Sequence, residues 1–203
     1  MDQTTVAFYS ANAPTVAARY EAIVSSLSVH FSAAFRPKSK LLDIGFGSGR
    51  DLAVLVERGH DCYGVDPTSE LIAEAEAYHP ELSGRLVQGA LPELMPPFGG
   101  AFDGVLCSAV LMHISTEQLP IAAQSIKECL IPKGRLLYSV PYKRLNVAVD
   151  DRDSNGRLFV SDHQDRIQYI FQDLGMMFVS SWADEDSMGR DAVRWKSVLM
   201  EKR

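Results

Sequence analysis

Apolar positions along the chain follow two different periods. From residue 4 to residue 35 they recur at three- and four-residue steps, which predicts an amphipathic helix that could have Pro14 in its first turn and that ends before Pro37. Beyond this point, short apolar runs alternate with segments of helical period. The predicted strands span residues 40–45, 61–65, 85–88, 102–108 and 135–140, and the predicted helices span residues 50–58, 69–79 and 116–130. This alternation predicts a parallel sheet that helices cover on both faces.

The pattern changes after Pro141. Residues 142–162 are polar and charged, and a stretch of this length without predicted structure is typical of a functional or mobile loop. A predicted helix over residues 163–174 and two predicted strands over residues 176–182 and 192–200 complete the chain, with a turn-rich segment between the strands. We therefore predict an α/β fold with a doubly wound, mostly parallel seven-stranded sheet and a C-terminal antiparallel hairpin.

Composition narrows the class of protein. The 203 residues, 46% hydrophobic and 23% charged, are ordinary for one globular domain over residues 1–203. The net charge of -6 argues against non-specific binding of nucleic acid, which needs a basic face. There is no apolar run of the roughly 20 residues that cross a bilayer, no signal-peptide pattern and no evident internal repeat.

Cys62, Cys107 and Cys129 lie in or beside apolar segments without the spacing of a metal site, which predicts buried, reduced thiols in a cytoplasmic protein.

The segment that could bind a ligand follows the first predicted strand. It reads Asp43-Ile-Gly45-Phe-Gly47-Ser-Gly49-Arg50. Glycines permit positive φ angles and a close approach of a ligand to the backbone, and the following helix start favours an anionic group. The dinucleotide pattern GxGxxG is not met, because the third glycine comes one residue early and Arg50 takes its place. Asp43 would repel a pyrophosphate, but it suits a ligand with an ammonium group and a sulfonium, such as S-adenosylmethionine (SAM).

Asp66 ends the second predicted strand. A carboxylate at this position can accept hydrogen bonds from both hydroxyls of a ribose. Since SAM and a dinucleotide both contain a ribose, Asp66 predicts nucleoside binding without choosing between them.

Four segments together resemble the class I SAM-dependent methyltransferases, in particular the small bacterial enzymes. They are Asp43-x-Gly45-x-Gly47-x-Gly49, Gly64-Val65-Asp66, Phe102-Asp103-Gly104-Val105-Leu106 and Pro132-x-Gly134. The resemblance covers nearly the whole chain, including the terminal hairpin. It implies an enzyme that transfers a methyl group from SAM by in-line displacement and releases S-adenosylhomocysteine.

The resemblance also implies a set of cofactor-binding residues. The backbone near Gly45 and Gly47 is expected at the methionine part, Asp66 at the ribose, and the residues after the third strand at the adenine. The whole expected set is Tyr9, Asp43, Gly45, Phe46, Gly47, Gly49, Arg50, Asp66, Pro67, Gly89, Ala90, Leu91 and Ser108. Two positions depart from the family pattern. Many members have Asp in place of Ala90, to bind the adenine amino group, and Cys or a small residue in place of Phe46.

Few catalytic residues are needed, because methyl transfer mainly requires alignment of the acceptor and exclusion of water, with a base for some acceptors. His113, after the fourth strand, is the best candidate for the base; the alternative is that it orients its loop. Tyr142, after the fifth strand, either contacts the substrate or caps the sheet.

Several other residues each have two possible roles. Arg50 either binds the methionine carboxylate or pairs with Asp43 or Asp51. The set of Arg157, Arg190 and Trp195 either binds an anionic substrate or belongs to a solvated loop and hairpin. Tyr9 and Tyr20 either close over the cofactor or pack in the core, and the acidic run at residues 184–186 is typical of a solvated turn.

The expected acceptor is a small molecule, because little of the chain is left to choose a substrate. Residues 1–35 would form a helical cap, 36–141 the cofactor-binding half, 142–162 a substrate-side loop and 163–203 the last helix and hairpin. The alternatives are methylation of tRNA or protein, and a non-catalytic SAM-binding module. A nicotinamide-dependent oxidoreductase is disfavoured by Arg50 and by the hairpin. We expect no membrane association, no nucleic-acid partner, and a monomer or homodimer.

A macromolecular substrate would need a basic groove. The nearest basic cluster is Lys143-Arg144, together with Arg152 and Arg157 in a segment that also carries several aspartates.

Overall fold

Seven strands form one sheet within the described part of the chain. The computed structural model describes residues 1–143, 150–160, 163–190 and 193–203. The strands are β1 (Lys40–Ile44), β2 (Asp61–Asp66), β3 (Leu86–Gln88), β4 (Phe102–Ser108), β5 (Leu130–Lys143), β6 (Met176–Glu185) and β7 (Arg194–Lys202). The α-helices are α1 (Gln3–Ala11), α2 (Ala13–Glu21), α3 (Phe31–Ala34), α4 (Arg50–Glu57), α5 (Ser69–Tyr78), α6 (Leu119–Cys129) and α7 (His163–Asp173).

The strand order across the sheet is β3-β2-β1-β4-β5-β7-β6. Strands β1 to β5 run parallel, whereas β7 runs antiparallel to both β5 and β6. The order reverses between β1 and β4, and in open α/β sheets this reversal leaves a crevice outside the carboxyl ends of the strands. The predicted doubly wound, mostly parallel sheet with a C-terminal hairpin is confirmed.

Alternate residues of each strand pack on opposite faces. On one face, Leu42 and Val105 join a core with residues of α6 and α7, whereas Leu41 and Leu106 point to the other face and join a core with residues of α3 and α4. Both faces of a parallel sheet are therefore buried, as the short apolar strands predict. The three cysteines are free and buried, in agreement with their prediction as core residues.

The N-terminal segment is the largest departure from the predicted elements. The single helix over residues 4–35 is wrong, because α1 ends before Asn12 and α2 begins at Ala13 with Pro14 in its first turn. Proline lacks the N–H of a helix interior and clashes with the carbonyl four residues earlier, so the chain restarts the helix there. A second break follows, where the Ser25 side chain caps a 3₁₀ turn by accepting a hydrogen bond from the Leu27 N–H.

Other boundaries differ by a few residues. The helix predicted from residue 116 begins at Leu119 with Pro120 in its first turn, and the strand predicted over residues 135–140 extends over the whole of β5. Residues 191 and 192, where the last strand was expected to begin, lie outside the described residues, as does Arg144. Among the described helices, none is both long enough and apolar enough to span a membrane.

Candidate functional site

The loop between β1 and α4 has a backbone that only glycines adopt readily. Gly45, Gly47 and Gly49 have φ angles of +75°, +61° and +83°. A Cβ atom on Gly45 would also lie 2.5 Å from Cγ2 of Val110, so this position needs glycine for space as well as for conformation. The loop therefore presents bare backbone at the carboxyl end of β1.

A cavity of about 410 Å³ lies at this end of the sheet. Its floor is formed by the glycine loop and the ends of β1, β2 and β4, and its walls come from α1, α2, the segment 150–160 and the C-terminal hairpin. Of the residues expected at the cofactor, those lining the cavity are Tyr9, Asp43, Gly45, Phe46, Gly47, Arg50, Asp66, Pro67 and Ser108. Residues widely separated in sequence thus line one cavity.

Asp66 is held in one orientation at the end of β2. Its side chain is 4% exposed. One carboxylate oxygen accepts hydrogen bonds from the Thr68 N–H at 3.0 Å and the Thr68 hydroxyl at 2.6 Å, and the other accepts one from the Gly47 N–H at 3.1 Å. Burial raises the pKa of Asp66, and these hydrogen bonds oppose the rise. The carboxylate is therefore fixed beside the glycine loop, with one lone pair of Oδ2 left for a ligand.

Asp43 carries an unsatisfied acceptor. It is 2% exposed and lines the cavity, and among the described residues its Oδ1 atom has no hydrogen-bond partner. Burial, followed by the nearby charges of Asp51 and Asp66, raises the pKa of Asp43 well above its usual range. A cation in the cavity would satisfy this oxygen, so the acidic pair of Asp43 and Asp66 fits a ligand with an ammonium group and a diol. The same pair would repel a pyrophosphate.

Arg50 forms the ion pair with Asp51 that one of its two interpretations predicts, and its role at the methionine carboxylate stays a prediction. Its Nε donates to Asp51 at 3.2 Å, and its Nη1 donates to the carbonyls of Tyr20 at 3.0 Å and Ile23 at 3.2 Å. The guanidinium thereby fastens the end of α2 to the start of α4, while still lining the cavity.

Other expected site residues lie outside the cavity lining. Gly49 precedes α4 as its N-terminal cap, and Gly89, Ala90 and Leu91 follow β3 beside the cavity wall without forming part of it. The carbonyl of Leu91 accepts a hydrogen bond from the N-terminal amine at 2.6 Å. Tyr142 is 41% exposed near the end of β5 and does not line the cavity. A role for these residues stays a prediction.

His113 lies in the cavity wall, in a 3₁₀ turn after β4. It is 3% exposed, and its Nδ1 is hydrogen-bonded to the carbonyl of Leu158. The ring contacts Phe159 and Tyr9 edge-on, at centroid distances of 4.6 and 6.0 Å. Because a carbonyl oxygen only accepts, Nδ1 carries the proton in the neutral ring, and Nε2 is the basic nitrogen.

Two turns of the same sequence pattern reach the cavity from different parts of the chain. Residues 153–157 and 186–190 both read Asp-Ser-x-Gly-Arg, and we call them the twin turns. In each, the aspartate forms an ion pair with the arginine four positions later, and both Arg157 and Arg190 line the cavity. The predicted site omits the two aspartates. Recognising that one five-residue pattern occurs twice could have identified them.

The prediction that residues 184–186 form a solvated turn is wrong for two of these three residues. Asp186 is 9% exposed, and Asp184 pairs with His30 at 2.9 Å; Glu185 alone of the three is exposed. Burial by itself would raise the pKa of Asp186, but hydrogen bonds from Arg190 and Trp195 lower it to about 2.

Comparison with known proteins gives a family match and a fold match. Residues 42–138 match the family model of a methyltransferase domain. The structure is similar to a TehB-like SAM-dependent methyltransferase from Corynebacterium glutamicum, with 19% identity, 95% of this chain and 99% of that chain covered, and a TM-score of 0.71.

Two further similar structures contain a bound product. They are N-methyltransferase NodS from Bradyrhizobium japonicum in complex with S-adenosylhomocysteine (16% identity, 99% of each chain, TM-score 0.68) and 1,6-didemethyltoxoflavin-N1-methyltransferase from Burkholderia thailandensis with 1,6-didemethyltoxoflavin and S-adenosylhomocysteine (21% identity, 98% of this chain and 80% of that chain, TM-score 0.65). No curated protein matches the sequence. At these identities the structural likeness establishes the fold.

Proposed function

We propose that this chain is a class I SAM-dependent methyltransferase, as the match of residues 42–138 to a methyltransferase domain supports, and that its methyl acceptor is a small molecule. The observation that supports a small acceptor is the segment 150–160, which covers part of the cavity and is tied to α1 and to the turn that carries His113. An extended polymer would need an open groove instead.

Three contacts tie the segment 150–160 to its neighbours. Arg152 forms an ion pair with Asp2 at 2.9 Å, the Leu158 N–H donates to the Thr5 hydroxyl at 2.9 Å, and Val160 donates to the Met112 carbonyl at 3.0 Å. The segment 150–160 is thereby joined both to α1 and to the turn that carries His113. These contacts limit the space beside His113 to a ligand of modest size.

The residues of the cavity fit the cofactor of the family. We assign a ribose hydroxyl to Asp66, the ammonium group to Asp43, and the adjacent methionine part to the backbone of Gly45 and Gly47. When bound, SAM supplies a methyl group made electrophilic by a sulfonium. The chain's own task is then to orient the acceptor, exclude water and accept a proton where the acceptor has one to lose. We assign that proton to Nε2 of His113.

Binding of S-adenosylhomocysteine is expected to tighten as the pH rises above about 4, the ordinary pKa of an aspartate carboxyl. The pKa of Asp43 is raised by burial and by Asp51 and Asp66, and the ligand's ammonium group favours the ionised carboxylate. Below that raised pKa, binding must expel a proton, so the affinity falls by up to about tenfold per pH unit. Calorimetry in buffers of different ionisation enthalpy measures the expelled proton.

The Asp43→Asn variant is the matched control for this titration. It should bind more weakly at high pH and lose most of the pH dependence. A wild-type affinity that does not change with pH, or a variant that keeps the same slope, would contradict the assignment of Asp43 to the ammonium group.

The proposed acceptor class is tested by following a labelled methyl group. The protein is incubated with methyl-labelled SAM and an extract that has been separated into small molecules, RNA and protein, with Asp66→Ala as the inactive control. Label in the small-molecule fraction supports the proposal. Label in RNA or protein indicates the macromolecular alternative, and binding of S-adenosylhomocysteine without any transfer indicates a non-catalytic binding module.

A further inference from the structure

We propose that the twin turns form an anion-binding site on the acceptor side of the cavity, and that the methyl acceptor carries a carboxylate. This inference rests on the proposed function, since it names the substrate class for the same cavity. It comes from the repeated five-residue pattern and from the convergence of its two arginines.

The twin turns have the same internal geometry. In both, the glycine has a positive φ angle, +77° at Gly156 and +68° at Gly189, and its N–H donates to the aspartate carbonyl at 2.9 Å. In both, the aspartate carboxylate also accepts the backbone N–H of the arginine at 3.0 Å. The carboxylate and the glycine therefore close each turn, whatever the rest of the arginine does.

The aspartates occupy only one edge of each guanidinium. Nε and Nη2 of Arg157 donate to Asp153 at 3.0 and 2.6 Å, and the same two atoms of Arg190 donate to Asp186 at 2.9 and 2.6 Å. The Nη1 atom of Arg157 donates to the Tyr9 hydroxyl at 3.1 Å. Within the described ranges, Nη1 of Arg190 donates to no other group, so each fork keeps N–H donors for a ligand.

Arg157 is held among aromatic rings, whereas Arg190, whose side chain is 38% exposed, is held through its buried partner Asp186. Arg157 lies over the rings of Phe8 and Phe159, at 4.6 and 5.1 Å from their centroids, which limits its freedom before any ligand arrives. Asp186 is itself held by a hydrogen bond from the Trp195 indole at 2.9 Å. The hydrogen bond with Asp186 raises the pKa of Arg190. The nearby charge of Arg157 acts in the opposite direction, which shows that the two guanidiniums are close to each other.

A purely structural role does not account for this arrangement. Closing each turn requires the aspartate and the glycine, but it does not require that both arginines line one cavity. Planar guanidinium forks bind planar carboxylates through paired hydrogen bonds. Each guanidinium already has one carboxylate partner, so the site suits a singly charged ligand group better than a dianion such as a phosphate.

The test compares acids with their neutral amides. Benzoate and phenylacetate are titrated against benzamide and phenylacetamide, with phenyl phosphate as the dianion, into protein saturated with S-adenosylhomocysteine, and binding is followed by ligand-observed NMR. Wild type should prefer each acid over its amide by about tenfold or more. Arg157→Gln and Arg190→Gln should each remove most of this preference, and the double variant should remove it entirely.

Arg194→Gln serves as the matched control. It lies in the same hairpin as Arg190 but removes an ion pair with Glu185. Arg194 does not line the cavity, so this variant should keep the preference for acids. The charge-preserving Arg157→Lys variant should show an intermediate preference if the planar fork matters.

Binding of S-adenosylhomocysteine shows whether a negative result contradicts this inference or the proposed function. All variants should bind S-adenosylhomocysteine within about twofold of wild type, which also shows that they fold. The inference is overturned if wild type shows no preference for acids, if the double variant keeps that preference, or if phenyl phosphate binds more tightly than benzoate. It is also overturned if the arginine variants lose affinity for S-adenosylhomocysteine, since the guanidiniums would then hold the cofactor. Failure of wild type to bind S-adenosylhomocysteine would instead refute the proposed function.

Discussion

Replacing Asp66 by Ala is expected to weaken the binding of S-adenosylhomocysteine by about 10- to 100-fold, because a charge-assisted hydrogen bond to the ribose is lost. The carboxylate is held ready by Thr68 and Gly47, so the folded chain has already met the cost of orienting it. Calorimetric titration of the variant measures the loss directly.

Two further variants separate the ribose contact from the local structure. Asp66→Asn keeps the shape and one acceptor oxygen, and its affinity should fall between those of wild type and Asp66→Ala. Asp61→Ala, at the exposed start of the same strand, should bind as wild type does. If Asp66→Ala binds S-adenosylhomocysteine as tightly as wild type, Asp66 does not belong to the cofactor site. If Asp66→Ala and Asp61→Ala lose affinity equally, the cause is a general weakening of β2.

Replacing His113 by Asn is expected to lower kcat by about 100-fold or more once an acceptor is known. The side-chain amide nitrogen of Asn can take the place of Nδ1 and donate to the Leu158 carbonyl, but Asn offers no basic nitrogen in place of Nε2. This substitution therefore keeps the loop contact and removes only the proposed base. Steady-state kinetics should show a loss in kcat with little change in the affinity for S-adenosylhomocysteine.

The same variant distinguishes the two readings of His113. If the histidine only orients its loop, His113→Asn should keep most of the activity, whereas His113→Ala should lose activity and stability together. If it is the base, both variants should be inactive while only His113→Ala is destabilised. Thermal unfolding of the two variants provides the stability measurement.

The fold and the cofactor end of the site could be predicted because they depend on local sequence. The alternation of Leu41 and Leu42 between the two faces of the sheet is a property of any strand, and the positive φ angles of the loop at Gly45 and Gly47 need glycine at those positions. Neighbouring residues impose both features, so they can be read from a short stretch of sequence. The division of the N-terminal helix at Pro14 is equally local and could have been predicted from that proline.

The acceptor side depends on contacts between distant parts of the chain. Arg152 pairs with Asp2 across 150 residues, and Arg157 contacts Tyr9 across 148. The sequence pattern Asp-Ser-x-Gly-Arg determines how each twin turn closes, because the aspartate, glycine and arginine lie within five residues of one another. It does not determine that both arginines meet in one cavity.

The sequence by itself thus determined the sheet, the glycine loop and the acidic residues at the ends of β1 and β2. Only the tertiary structure decided what Arg50 binds, which nitrogen of His113 is basic, and that Arg157 and Arg190 share the wall of one cavity. The physical reason is that backbone preferences and strand alternation act between neighbours, whereas the walls of a cavity are set by how the whole chain packs.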